Sequence, residues 1–202
     1  GIGARLPIVF AGRGNLEFCP MTDVSLAQER YDRVTIAFHW LPALLVLVLF
    51  GTAFAWNYLP RQWHLRSLEG VHVSLGIALA AVLIGRLLWR AFAGRKLKPA
   101  GRGLAAPLSR LLHALLYAML VGQVMLGFGL RWLQGEDFTF FGLFSIPSLF
   151  TPDRALAHQF EDLHNLLGWG LVIVAGGHAV AALFHRYVLK DGVLRRMIPA
   201  GN

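Results

Sequence analysis

From residue 31 onwards, long apolar blocks alternate with short polar or Gly/Pro-rich connections. Four of these blocks reach the roughly 20 consecutive apolar residues that a helix needs to cross the hydrocarbon core of a bilayer. They run from about 34 to 56, 70 to 89, 111 to 132 and 160 to 187. The pattern predicts an all-α, integral membrane four-helix bundle. Trp56, Trp89 and Trp132 fall at block ends, where amphipathic aromatics mark the membrane–water interface. The connection 133–159 holds Gly135, Pro147 and Pro152 amid aromatics (FTFFGLF), which breaks it too often for a span. It is expected to cap the outer face. No internal repeat is visible.

Composition agrees with the pattern. Of 202 residues, 56% are hydrophobic and only 15% charged, with mean hydropathy +0.55. Soluble domains lie nearer 45–50% apolar and about 25% charged. Cys19 is the sole cysteine, so an intramolecular disulfide, a Cys-rich zinc site and an iron–sulfur cluster are all excluded. No C-x-x-C-H is present, so a haem would be held without thioether links.

The net charge of +8 admits two explanations, nucleic acid or membrane topology. The connection 90–110 carries Arg95, Lys96, Lys98 and Arg102, and the C-terminal tail adds Arg186, Lys190, Arg195 and Arg196. With both termini cytoplasmic, only Arg61, Arg66, Arg131 and Arg154 of the 19 Lys and Arg residues fall outside. The positive-inside rule therefore predicts a multi-pass protein of the bacterial inner membrane with both ends in the cytoplasm. Topology accounts for the charge, no recognition motif accompanies it, and nucleic acid is excluded as a partner.

Residues 1–30 are read as an N-terminal extension, partly disordered, followed by the four-span domain 31–199. GIGARLPIVFAGRGNLEFCP begins without Met and lacks the apolar core of a signal peptide. Met21, ahead of TDVSLAQERYDR, is a candidate natural start.

The last block, HNLLGWGLVIVAGGHAVAALFH, carries His164, His178 and His185. At about 100° per residue, steps of fourteen and seven return to within about 40° and 20° of the starting direction, so the three share a helix face. His164 and His178 are separated by roughly 21 Å of helix rise, which places one near each membrane surface. Imidazoles within a membrane face the bundle interior and need partners. Two at opposite depths point to two stacked haems, each completed by an imidazole from another span. His72 matches His164 in depth, and His39 matches His178; His113 competes for the inner position. The predicted axial pairs are His72–His164 (outer) and His39–His178 (inner).

Gly76, Gly168, Gly170, Gly176 and Gly177 lie near these ligands and would let a macrocycle approach; equally, they would let helices pack closely. Zinc is the rival metal, but HQFEDLH lacks the H-E-x-x-H spacing and no carboxylate lies at helical depth. Interhelical hydrogen bonding without any metal is the other alternative. His64 and His158 read as solvated surface residues.

Four stretches carry a resemblance: YDRVTIAFHW, GVHVSLGIALAAVLIGRLLWR, LHALLYAMLVGQVMLG and LHNLLGWGLVIVAGGHAVAALFHRYVLKDGVLRRMIP. They are similar to the bacterial cytochrome b561 proteins, relatives of the cytochrome b subunits of hydrogenases and formate dehydrogenases. The likeness covers nearly everything from Tyr31 to Pro199 and leaves residues 1–30 outside. It implies a membrane bundle with two non-covalent bis-histidine b haems, agreeing with the ligands above, and electron exchange with quinone. Some members look like superoxide oxidases that reduce ubiquinone.

The expected function is transmembrane electron transport to or from the quinone pool, with superoxide oxidation and ubiquinone reduction as its enzymatic form. The alternative is a haem-bearing anchor subunit that serves a partner dehydrogenase or a periplasmic redox protein. His185, with His113 as a second choice, is a candidate quinone or proton site; an interfacial histidine paired with backbone or lipid headgroup is the plainer reading. Arg30, Arg33, Arg86 and Arg90 are candidates for pairing with inner haem propionates, or are simple positive-inside anchors. Arg61, His64 and Arg66 form the only basic cluster available to steer superoxide, against six outer acidic residues.

Overall fold

The computed structural model describes residues 30–58, 67–94, 97 and 105–198. The N-terminal extension up to residue 29, Met21, Cys19, the Arg61/His64/Arg66 cluster and most of the basic connection 95–104 lie outside the described residues.

Four long helices make up the molecule: α1 (Arg33–Tyr58), α2 (Ser67–Phe92), α3 (Ala105–Gln134) and α4 (Arg154–Phe184). All four are long and apolar enough to cross a membrane. Each starts before its predicted span, and α1, α2 and α3 also end after it, because the polar ends continue the helix beyond the apolar block. α1 starts at an Asp32 cap, whose Oδ1 accepts from Thr35 N at 2.7 Å. α4 starts at an Asp153 cap, which accepts from Leu156 N at 3.1 Å, seven residues before the apolar pattern begins. After α4 the chain tightens into a π-helical turn, His185–Leu189, then a 3₁₀ turn, Leu194–Met197. Tyr31 N donates to Arg196 O and Trp40 Nε1 to Met197 O, so the start of α1 and the end of the described chain meet at one end of the bundle.

The other end is closed by a small antiparallel hairpin, β1 (Phe138–Phe140) and β2 (Phe144–Ile146), in the predicted cap region. Phe141 and Gly142 take positive φ (47° and 73°), and Leu143 N closes the turn onto Phe140 O. Positive φ at both central positions matches the right-handed strand twist. Ser74 pins this hairpin to α2. Its buried hydroxyl accepts from Phe141 N at 3.0 Å and lies 3.1 Å from Thr139 O. Arg131, near the end of α3, pairs with Glu69 at 2.7 Å and Glu136 at 2.6 Å.

Packing is uneven. α1 lies along α2 and α3 along α4, whereas the two pairs touch each other sparsely. Glycines bring α3 and α4 together: a Cβ at Gly129 would sit 2.6 Å from the Phe160 ring, at Gly170 3.1 Å from Met119, and at Gly168 3.2 Å from the Gln123 amide. Between the pairs a gap remains, and few apolar side chains of the spans are fully buried, among them Leu49, Leu79, Leu83 and Leu171.

Arg86 illustrates how the bundle handles charge in an apolar span. Pro42 has no N–H, so the Phe38 carbonyl one turn earlier loses its helical donor. Arg86 supplies the missing hydrogen bond from Nη1, while its Nε donates to Tyr117 O–H at 2.6 Å. One guanidinium thus ties α1, α2 and α3 together. This engagement is the role the structure shows for Arg86. Tyr117→Phe strands the Nε donor in a low-dielectric interior. It is expected to destabilise the protein by about 1–3 kcal/mol, measurable as a lower thermal midpoint in detergent.

Candidate functional site

The gap between the two helix pairs gathers the histidines. From α2, His72 points at His164 of α4, with ring centres 6.3 Å apart and planes inclined by 72°. Toward the other end, His39 of α1 faces His178 of α4 with the same separation and angle. His113, from the first half of α3, lies closer to His178, at 5.2 Å, in edge contact. The structure therefore brings together both pairs that depth matching predicted, and places His113 beside one of them.

Local hydrogen bonds decide which ring nitrogens are available. His72 Nδ1 sits 3.1 Å from Leu49 O and 3.0 Å from Thr52 Oγ1. A carbonyl only accepts, so Nδ1 carries the proton and Nε2 keeps its lone pair. His113 is fixed in the same sense by Ser109 O, 2.6 Å from its Nδ1. Gln123 Nε2 reaches His164 Nε2 and His164 O, both at 3.1 Å. His164 Nδ1 and Gln123 Oε1 are buried with no hydrogen-bond partner. Sequence reading missed Gln123; its position in span three, one helical turn before Gly127, was the available signal. A Cβ at Gly127 would meet the His164 ring at 3.1 Å, so the glycine makes room for the imidazole.

The remaining glycines divide into two groups. Gly168 and Gly170 serve helix packing, as above. Gly76, Gly176 and Gly177 face open space, with nothing within 4 Å of an added Cβ, and so does Gly51.

A sequence model of the prokaryotic cytochrome b561 family matches residues 30–200. The chain belongs to this family. Cytochrome b561 homolog 2 of Escherichia coli (strain K12) is 31% identical over 176 residues, covering 84% of this chain and 92% of the relative. A probable superoxide oxidase of Yersinia pestis is 28% identical over 172 residues, covering 85% and 97%. Cytochrome b562 of Cereibacter sphaeroides is 30% identical over 177 residues, covering 83% and 94%. The protein is thus a membrane b-type cytochrome of helical-bundle architecture, and family membership implies haem binding.

The residues present fit such a group. An imidazole nitrogen lies about 1.1 Å from its ring centre and binds metal at about 2.0–2.1 Å, so two imidazoles across one metal have centres roughly 6.3 Å apart. Both His72–His164 and His39–His178 have that separation. His113–His178, at 5.2 Å, is too close for it. Gly76, Gly176 and Gly177 leave open space beside His72 and His178. The zinc alternative finds no support in the geometry. Among the described residues, no three His, Cys, Asp or Glu side chains converge on a common metal position.

His185 stands apart from this gap. It opens the π-helical turn, and its Nδ1 is 2.5 Å from Asp191 Oδ2. Its partner is a carboxylate of its own chain. Burial pushes the Asp191 carboxyl up, but hydrogen bonds from His185 and Val193 N, with the imidazole charge, hold it below the usual carboxylate range overall. A depressed carboxylate contributes stability above its unfolded pKa of about 3.9 and loses it as pH falls through the folded value. The turn is therefore expected to loosen only below about pH 4, visible as faster amide exchange across residues 190–193 relative to α4.

His158 lies on exposed surface near Glu161, in keeping with its expected solvated role.

Proposed function

We propose that the four-span domain 31–199 carries electrons across the bacterial inner membrane between an outer donor and the quinone pool, using two b haems held by His72–His164 and His39–His178. The observation that carries this reading is the pair of equal 6.3 Å imidazole separations at opposite halves of one interhelical gap. A haem held there by these imidazoles would supply one-electron chemistry.

The protein's own contribution is to position and insulate. Leu49 O and Thr52 fix the His72 tautomer and orientation, as outer-shell partners of metal-bound histidines do. Leu79, Leu83 and Leu171 are buried within the spans and add apolar insulation. At the cytoplasmic end His185 is the proposed quinone residue. Asp191 holds Nδ1, leaving Nε2 to donate a proton to a quinone carbonyl oxygen. His113 is the second choice, its Nδ1 likewise occupied. Both termini lie in the cytoplasm on this reading, in line with the charge distribution and with the start of α1 meeting the end of the described chain.

Superoxide is the proposed outer donor, in keeping with the name of the Yersinia pestis relative, and ubiquinone is the proposed acceptor. Arg131 contributes no steering field, because Glu69 and Glu136 neutralise it. One observation favours a second reading, in which the outer donor is a partner dehydrogenase or periplasmic redox protein. The hairpin and the segment after it expose Phe141, Leu143, Phe144, Leu149 and Phe150 beside the His72–His164 end.

Rapid mixing separates the two. Superoxide added to the purified, ubiquinone-loaded protein is expected to produce the b-type α-band of reduced haem, followed by ubiquinol. With no reduction of either, superoxide is eliminated as donor and the partner reading stands. Absence of any b-type band in a reduced-minus-oxidised spectrum would sink the haem assignment as a whole.

A further inference from the structure

Beyond His185 and Asp191, the turn that follows α4 carries basic side chains that the redox reading does not use. Residues 186–195 wrap into a half-open pocket of about 260 Å³ lined by Arg186, Lys190, Gly192 and Arg195. Its shape depends on two left-handed residues: Lys190 at φ 51° ends the π-helical turn, and Gly192 at φ 75° reverses the chain so that Arg195 folds back. The Arg195 guanidinium comes within 3.5 Å of where a Gly192 Cβ would stand. A side chain there would meet both a strained backbone and the guanidinium.

Three cations line this concavity, and among the described residues none of the three forms an ion pair with a carboxylate. The neighbouring carboxylate, Asp191, is already committed to His185 and to Val193 N. The pocket therefore gathers three cations with no carboxylate among its lining residues, a chemistry that selects a phosphate-bearing anion.

Its position selects the kind of anion. The segment long and apolar enough to cross the membrane runs to Leu189, so the pocket sits at the span's end, at headgroup depth. On the same turn Tyr187, Val188 and Leu189 are exposed apolar side chains, at 70%, 61% and 52%. A ligand satisfying both surfaces has an anionic head and a hydrocarbon body. We propose that Arg186, Lys190 and Arg195 form a headgroup site for an anionic phospholipid, with the phosphodiester between the three cations and an acyl chain along Tyr187, Val188 and Leu189. Basic pockets at the cytoplasmic ends of membrane helices bind anionic headgroups on the same physical grounds. The site does not depend on the haem assignment.

Native mass spectrometry of the full-length protein, titrated with phosphatidylglycerol or phosphatidylcholine, tests this. Each basic side chain near an anionic surface contributes roughly fivefold, so R186Q/K190Q/R195Q is expected to weaken phosphatidylglycerol binding by about a hundredfold. Phosphatidylcholine binding should be weak and unchanged, and R186K/K190R/R195K should retain the anionic lipid. Circular dichroism and a monodisperse elution profile establish that each variant is folded; if the triple Gln variant does not fold, R195Q alone is expected to lose about fivefold. Equal binding of the two lipids, or undiminished phosphatidylglycerol binding by the folded Gln variant, overturns the site. Displacement of the lipid by millimolar inorganic phosphate alone would show that free phosphate is the ligand, and would overturn the lipid assignment.

Discussion

Replacing His164 with alanine is expected to halve the haem content, from two per chain to about one, and His72→Ala should do the same to the same haem. The two rings face each other at 6.3 Å across the gap, on helices that belong to different packed pairs. Because the two ligands act on one group, the double variant should lose no more haem than either single one. His39→Ala and His178→Ala should remove the other haem, and the spectra of the two classes of variant should sum to that of the parent. Each should also unfold at lower temperature, since a ligand that binds only the folded state stabilises it by mass action. His113→Ala should retain both haems, because 5.2 Å from His178 is a ring contact rather than a bis-imidazole separation. Pyridine haemochrome quantitation with reduced-minus-oxidised spectra provides the measurement. Full haem in the His39 variant together with loss in the His113 variant would reassign the inner ligand; full haem in the His164 variant would remove the outer site from α4.

How much of this was legible in the sequence differs from element to element. Span number and the two histidine depths followed from periodicity and length, because a bilayer imposes a helix on any apolar stretch of sufficient length. The ends were less legible: Asp153 starts α4 inside a stretch that reads as a Pro-rich loop, since a cap is a local hydrogen bond and not a hydropathy signal. The β1–β2 hairpin was missed although Phe138–Ile146 alternates. Its turn places Phe141, not Asn or Asp, at the first positive φ, so the usual turn signature is absent. Arg86 read as a basic anchor or propionate partner. Only the fold shows that Pro42 frees a carbonyl within its reach, because those residues are 44 positions apart in the sequence. The tie between His185 and Asp191 likewise depends on a π-helical turn that no pattern announces. Gly168 and Gly177 look alike in an apolar block, yet one meets the Gln123 amide and the other meets nothing.

That last difference yields the most discriminating prediction. Gly76→Leu and Gly177→Leu are each expected to lose one haem while leaving the polypeptide folded. An added Cβ at either position meets no atom within 4 Å, so the leucine enters space that the protein itself does not occupy. Gly-to-Leu within a helix should even favour the helical state by roughly 0.5–1 kcal/mol. If the gap accommodates a macrocycle, however, the new side chain occupies volume the macrocycle needs, and close-packed interiors do not absorb such an intrusion cheaply. Gly76 lies one turn beyond His72 and Gly177 next to His178, so the first change should spare the His39–His178 haem and the second the His72–His164 haem. Gly129→Ala is the control: its Cβ would fall 2.6 Å from the Phe160 ring, and overpacking should cost about 1–3 kcal/mol. Its expected signature is lower thermal stability with both haems still bound at low temperature. Helical content, thermal midpoint and haem per chain measured on all three variants distinguish a cofactor cradle from a packing surface. Full haem in folded Gly76→Leu and Gly177→Leu proteins would show that these glycines line no cofactor, and the open space between the helix pairs would need a different occupant.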